Sequence, residues 1–293
     1  MGSKDAVIHK IAPLFPAADH FYDLFGGGFA VSHFMILHHS SRYKRIFYNE
    51  IKSDLVQLVT DAIAGKYNYD VFKPKWISRE DFSRNNDTCA YTRCIWSFGN
   101  NQKDYLFGEE NELHKKSLHQ AVVFNEFDTL AKRHLIMDSF PAYLSIRGRR
   151  LLCRTIVKKR MGELQQLEQL ERLQRLQRLQ RLERLERLET SSKSYEDIQI
   201  LPSSVIYCDP PYKGTADYIN TFDHEKFWDW VRRQTEPVFV SEYIAPNDIK
   251  VLTAFNHKKK MSSKGCVTDS VEKVFGNSAA VKALSEKAEL LYG

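Results

Sequence analysis

The segment Ser204-Val-Ile-Tyr-Cys208, running into Asp209-Pro-Pro-Tyr212, limits the folds open to this chain more than any other. The first five residues read as a buried strand. Two consecutive prolines then fix φ and remove two backbone donors, so a strand ladder cannot continue through them. The chain must leave the sheet there, on a rigid loop that presents one carboxylate, bare carbonyls and one aromatic face. Such a loop suits a planar amine. Open α/β sheets place their ligands beyond the carboxyl ends of their strands, where this loop would sit. A plain Pro-Pro turn is the competing reading of the tetrapeptide taken alone.

The first third of the chain supplies the matching half of such a sheet. Residues 20–24 read as a strand leading into Phe25-Gly-Gly-Gly28, and residues 29–40 as a helix. Residues 45–49 read as a second strand ending at Glu50, and residues 52–64, with apolar positions at 55, 56, 58, 59, 62 and 63, as an amphipathic helix. Strand, glycine turn, helix, strand, helix is the opening of a doubly wound sheet. The glycines let the backbone turn tightly and approach a ligand, but their spacing is not that of a dinucleotide site. Glu50 stands 22 residues beyond Gly28, where a carboxylate can accept from both ribose hydroxyls of a nucleoside. Turn and carboxylate together suggest an adenosine-type cofactor. Downstream, residues 224–233 read as a helix, 237–241 as a strand and 252–276 as a terminal antiparallel hairpin.

Composition excludes several classes. The five cysteines form no CxxC pair, which disfavours structural zinc and disulfide scaffolds and fits a reduced, cytoplasmic setting. No run approaches the roughly 18 apolar residues of a membrane helix, and no signal peptide is read at the start. The net charge of +6 permits a polyanionic partner without demanding one. Residues 66–160 break the α/β rhythm, and within 146–160 seven residues are basic and none acidic. A phosphate-contacting surface is the functional reading of that stretch, and a solvated helix face the alternative.

In residues 164–189 leucine recurs at every third position between Gln, Glu and Arg. This composition forms helix, and in an α-helix a three-residue repeat drifts by roughly 60° per leucine. No heptad seam results. The expectation is a helical spacer roughly 39 Å long, its leucines only partly buried and open to self-association.

At this point the chain resembles a known family. Asp23-Leu-Phe-Gly-Gly-Gly28 and Asp209-Pro-Pro-Tyr212 resemble the cofactor and catalytic motifs of S-adenosylmethionine-dependent DNA adenine-N6 methyltransferases. The nearest group is that related to the GATC methylases, in particular the solitary enzymes of phages and prophages. Gly2-Ser3-Lys4 is similar to that family's N-terminal cofactor motif. Trp96-Ser-Phe-Gly-Asn-Asn101, Phe239-Val-Ser-Glu-Tyr243 and the Leu-x-Arg repeat are similar to segments of phage-type members. The resemblance covers residues 2–60 and 200–276, and 66–160 in part.

The resemblance implies a Rossmann-like class I methyltransferase. Its α/β fold would combine a mostly parallel, doubly wound sheet with a terminal antiparallel hairpin, an inserted target-recognition region and a long helical Leu-x-Arg repeat. The catalytic domain would be discontinuous, 1–65 and 195–293, with a DNA-binding insertion at 66–160 and the repeat at 161–190. Lys4, Asp23, Phe25, Gly26, Gly28, Glu50 and Asp209 would surround S-adenosylmethionine. Asp209, Pro210 and Tyr212 would be catalytic: the carboxylate and the Pro210 carbonyl accept the two N–H groups of the adenine amine, and the Tyr212 ring stacks on the base. The base would leave the duplex to reach them, and transfer would be direct and in line, without a metal. Double-stranded DNA would be the partner, contacted by Arg147, Arg149, Arg150, Arg154, Lys158 and Lys259. Tyr218 and Phe222 are read either as walls of the base pocket or as core, Cys208 as a buried strand residue, and His224 as non-catalytic.

Cytosine-N4 enzymes more often carry Ser, and glutamine enzymes Asn, where this chain has Asp209, so adenine is favoured over cytosine N4 or a protein amide. RNA adenine is a further alternative. A non-catalytic DNA-binding scaffold built on the leucine repeat is the reading from a different class. A cytoplasmic setting in a bacterium or a phage-infected host follows from the resemblance.

Overall fold

Val205, Ile206 and Tyr207 have no exposed surface, as a continuous apolar run requires when a parallel sheet is covered on both faces. They lie at the centre of the sheet in the computed structural model, which describes residues 4–98, 101–161, 167–182, 185–212, 222–260 and 267–292. The chain falls into two compact units, Gly2–Val56 with Leu182–Gly293, and Gln57–Arg181. The first holds the sheet. In chain order its strands are β1 His20–Asp23, β2 Arg45–Asn49, β3 Leu188–Ser191, β4 Ser204–Cys208, β5 Val238–Glu242, β6 Lys250–Lys260 and β7 Val267–Gly276.

Among the described residues the spatial order is β3-β2-β1-β4-β5-β7-β6. β1 runs parallel to both neighbours, with His20 opposite Arg45 on one side and Ser204 on the other. β3 and β5 extend the parallel set, and β7 is antiparallel to both β5 and β6. The result is a Rossmann-like α/β fold, mostly parallel with an antiparallel hairpin at one end, as the sequence leads one to expect. The strand order reverses at β1 and β4. In open α/β sheets ligands bind beyond the strand ends at such a switch point, and here Asp23 and Asp209 stand at it. Helix His224–Arg233 begins where the Asp223 side chain accepts from Lys226 N at 2.9 Å, an N-cap. It buries Phe227, Trp228, Trp230 and Val231 beneath the sheet's apolar cluster with Ile206, Cys208, Val238 and Val240.

The leucine repeat departs from expectation. Among the described residues of the repeat, Glu168–Gln177 is α-helical, and Arg178–Arg181 and Leu185–Arg187 are 3₁₀ helix. Leu167, Leu170, Leu173, Leu176 and Leu179 are all at most 7% exposed, so the stripe is not a partly buried spacer and does not offer those leucines to a second chain. The drift around the helix explains this. A stripe that winds through half a turn can be satisfied only by a core on several sides, and one is present. Leu167 and Leu170 join Leu118, Val122, Leu135, Phe140 and Val157 in one cluster. Elsewhere on the helix, Arg172 Nη1 donates to the carbonyls of Cys94 at 3.3 Å, Ile95 at 3.2 Å and Ser97 at 2.6 Å. The 3₁₀ turn then restores the register, because a three-residue repeat matches its period. The end of the repeat is strand, not helix: Leu188–Ser191 is β3, pairing with β2 from Ile46 opposite Leu188.

Elsewhere this second unit carries the helices Arg79–Asn85, Ala90–Ile95, Glu109–Phe124, Thr129–Leu135 and Ile146–Met161, joined by turns and loops. Among the described residues, no helix is long and apolar enough to cross a membrane.

Candidate active site

The turn after β1 is built for close approach. Gly26 N donates to the Asn49 carbonyl at 2.8 Å, and a Cβ on Gly26 would lie 2.3 Å from the Tyr48 ring. No larger residue fits without moving an aromatic side chain that is itself buried. Gly27 adopts a φ of +46°. Its N–H donates to Glu50 Oε2 at 3.0 Å, while its carbonyl accepts from Tyr48 Oη at 2.8 Å. Gly28 leads into Phe29, which enters the helix Ala30–His39 at a φ of 69°. That conformation strains a bulky residue. Its full burial, with the Tyr48 ring edge-on at 5.0 Å, holds it.

Asp23 ends β1 with 1% of its surface exposed. Its Oδ2 accepts from Ser32 N at 3.1 Å and Ser32 Oγ at 2.7 Å, while its Oδ1 is buried with no hydrogen-bond partner. Burial pushes the carboxyl pKa up to about 7, against the Ser32 hydrogen bonds and with help from the charges of Asp209 and Glu50. A buried carboxylate with one oxygen unmet calls for a cationic donor. Glu50 faces the same turn, its Oε1 accepting from Lys52 N at 3.1 Å. A carboxylate has about four lone-pair positions, so Glu50 retains acceptor capacity beyond these two bonds. The orphaned Asp23 oxygen and the second acceptor at Glu50 fit the ammonium and ribose of S-adenosylmethionine. Phe25, half-buried, packs edge-on against Phe222 at 5.7 Å and Phe227 at 5.7 Å.

At the end of β4, Asp209 keeps 21% of its side chain exposed, and Pro210 is buried. Lys4 reaches this loop. Its Nζ lies 3.0 Å from Asp209 Oδ1 and 2.6 Å from Glu272 Oε1, and it is hydrogen-bonded to Tyr212 Oη. The ammonium also sits 4.9 Å over the Tyr212 ring centroid, and Tyr212 Oη donates to Glu272 Oε1 at 3.2 Å. Burial would lower the Lys4 pKa, but Asp209 and Glu272 outweigh it and hold the group above its usual range, so it is charged. Burial raises the Asp209 pKa; Lys4 opposes that and Glu272 reinforces it. Burial, then the two carboxylates, raise the Tyr212 phenol, which stays neutral. Tyr243 meets the Tyr212 ring edge-on at 4.7 Å.

The sequence-based residues thus gather at two neighbouring strand ends. Asp23, Gly26, Gly28 and Glu50 frame the turn beyond β1, and Lys4, Asp209, Pro210 and Tyr212 the loop beyond β4. Lys4 contacts the second group. Glu272, on β7, is the residue the sequence reading misses. Its signal is the alternation of Val271-Glu-Lys-Val274, which puts Glu272 on one face with the fully buried Val274. Phe222 joins the aromatic core with Tyr195 and Phe227, and Tyr218 lies outside the described residues. His224 Nδ1 lies 4.0 Å from the buried Glu242 Oε2.

The basic helix Ile146–Met161 sorts its cations. Arg147, Arg154 and Lys158 are exposed. Arg150 is not a free surface group: it donates to Glu171 Oε1 at 2.9 Å and Gln174 Oε1 at 2.9 Å. Half-buried Arg149 has its Nε buried without a partner. Arg154 also lies 3.6 Å from Glu171. Lys259 belongs to β6, and its side chain is outside what the structure describes.

Comparison with known proteins gives one family. The model described as D12 class N6 adenine-specific DNA methyltransferase matches residues 1–236. No curated protein matches the chain. Among solved structures, the rRNA methyltransferase aviRa from Streptomyces viridochromogenes at 2.4 Å aligns with 12% identity over 97% of this chain and 86% of that one, at a TM-score of 0.33. The same protein at 1.5 Å aligns with 10% identity over 95% and 86%, at a TM-score of 0.33. At that level of likeness the pair informs neither fold nor function.

Proposed function

This chain belongs to the D12 class N6 adenine-specific DNA methyltransferase family, and from that premise we propose that the carboxyl ends of β1 and β4 hold S-adenosylmethionine beside an adenine lifted from double-stranded DNA. Its reaction is methylation of the N6 amine of adenine in DNA. S-adenosylmethionine, the donor used by methyltransferases generally, supplies when bound a methyl group on a sulfonium, transferred in line and without a covalent enzyme intermediate.

The chain's own residues do the rest. Asp23 would hold the donor's ammonium through its unpartnered oxygen, and Glu50 would hold the ribose hydroxyls. Gly26, packed against the Tyr48 ring, and Gly28 would shape the turn beside the donor. The exocyclic amine of adenine is a poor nucleophile because its lone pair is delocalised into the ring. Asp209 and the Pro210 carbonyl accept its two N–H groups, which draws the lone pair onto nitrogen and aims it at the methyl. Orientation and fixed charge are the main contributions. Tyr212 offers the base a ring to stack on, and leaving the duplex costs a few kcal/mol. Arg147, Arg154 and Lys158 contact phosphate.

The observation that carries this reading is the pair of carboxylates at the switch point, Asp23 with a buried oxygen that lacks a partner and Asp209 on its two-proline loop. Unmethylated DNA incubated with the protein and S-adenosylmethionine, then digested to nucleosides for mass spectrometry, tests it. N6-methyladenine from the wild type and a loss of at least a hundredfold in Asp209→Ala are expected. Methylated cytosine, or methylation of RNA alone, would overturn the assignment.

A further inference from the structure

Glu272 is a buried carboxylate, 7% exposed, on a strand remote in sequence from every motif of the site. Its Oε1 accepts from Lys4 Nζ at 2.6 Å and from Tyr212 Oη at 3.2 Å. The same ammonium lies 3.0 Å from Asp209 Oδ1. One cation thus stands between two carboxylates, nearer to Glu272 than to Asp209.

This arrangement conflicts with the task given to Asp209. An oxygen that already holds an ammonium is poorly placed to accept from the adenine amine. A lysine whose only counter-ion were Asp209 could not withdraw, because it would strand a charge in a buried site. A second anionic seat removes that obstacle.

We propose that Glu272 is a positioning residue that retains the Lys4 ammonium while Asp209 Oδ1 turns to the incoming amine, so that the lysine closes the resting site and yields it to the base. The inference rests on the reading that Asp209 receives the target amine. No covalent step is involved. The ammonium exchanges one of two carboxylate partners, and the amine N–H takes the vacated oxygen. Tyr212 couples the two states, since its hydroxyl bonds to both Lys4 and Glu272 and its ring lies beside the place the base must take.

The test uses the full-length protein at saturating S-adenosylmethionine, with thermal melting to establish that each variant is folded. In Glu272→Gln the ammonium has only Asp209 to pair with. The expected result is a fall of at least tenfold in kcat/KM for DNA. Glu272→Asp, which keeps the charge, should recover most of the rate. Lys4→Met combined with Glu272→Gln should be faster than Glu272→Gln alone, because the competitor for Asp209 is gone.

The pH profile separates positioning from mere support. Asp209 is faced by Lys4, Tyr212 and Glu272, with Asp23 on the neighbouring strand. Removing the like charge of Glu272 should move the acid limb of kcat/KM to lower pH while the plateau falls. A structural role would lower the plateau and leave the limb in place. A double variant no faster than Glu272→Gln, or a limb that does not move, overturns the proposal. A wild type that forms no N6-methyladenine overturns the functional reading and the inference with it. A methylating wild type with an unaltered Glu272→Gln overturns the inference alone.

Discussion

Asp23 combines full burial with one oxygen that finds no donor, and its protonation therefore reports on whatever fills the turn. Its pKa is raised from 3.8 to about 7, chiefly by burial. Between those values the unfolded chain has lost this proton and the folded chain has kept it, so the group's contribution to stability falls as pH rises through the interval. The loss is on the order of 4 kcal/mol by the linkage relation. A cationic ligand reverses the preference, because an ammonium at Oδ1 favours the carboxylate. Binding of S-adenosylmethionine at pH 6 should therefore release close to one proton, and at pH 8 almost none. Calorimetry in two buffers of different ionisation heat measures this directly. Asp23→Asn should abolish the proton release and weaken binding by roughly ten- to a hundredfold, the value of a charged hydrogen bond. An unchanged affinity in that variant would remove Asp23 from the donor site.

Among the elements, helix Ile146–Met161 carries two kinds of arginine. Arg147, Leu151, Arg154 and Lys158 recur at intervals of four, three and four residues, so they share one helix face. All four are exposed, Leu151 at 62%. Arg147→Ala or Lys158→Ala should reduce the slope of log affinity for DNA against log salt by about one, without altering which sequence is methylated. Arg150→Ala should leave that slope intact and lower the melting temperature, because Glu171 and Gln174 lose its hydrogen bonds. A composition-based reading cannot make this division, since every cation of the run looks alike in sequence. The strands at 45–49 and 204–208 were legible because apolar runs end there in turn residues. β3 was not legible. Leu188–Ser191 follows a strong helix-forming repeat, and only its partner β2 makes it a strand. Helix Ser278–Tyr292 lies beyond the sequence-based expectation, although its Ala, Lys, Glu and Leu content favours helix. At the site, the motifs announced Asp23, Glu50 and Asp209. Glu272 has no motif; its place beside Lys4 and Tyr212 depends on β7 lying antiparallel beside β5, which local pattern does not specify.

For the molecule as a whole, the Gln57–Arg181 unit is continuous in sequence, and the sheet-bearing unit is not. A chain truncated after Arg181 should therefore shield residues 57–181 from protease while Gly2–Val56 is cut, and extension through β5 should extend protection to β1 and β2. Pulse proteolysis of such truncations checks this; early protection of β1 would contradict it. The interrupted sheet also has a consequence for how the protein is made. Asp19, at the foot of β1, bonds to Ser203, 184 residues further on. At synthesis rates of roughly 5–20 residues per second the ribosome needs about ten to forty seconds to deliver β4. Through that interval Phe21, Tyr22 and Ile46, all buried in the finished sheet, wait on a strand pair whose inner edge is unclaimed. A nascent chain in this condition is a client for chaperones, and in a crowded polysome the nearest complementary edge belongs to another copy of itself.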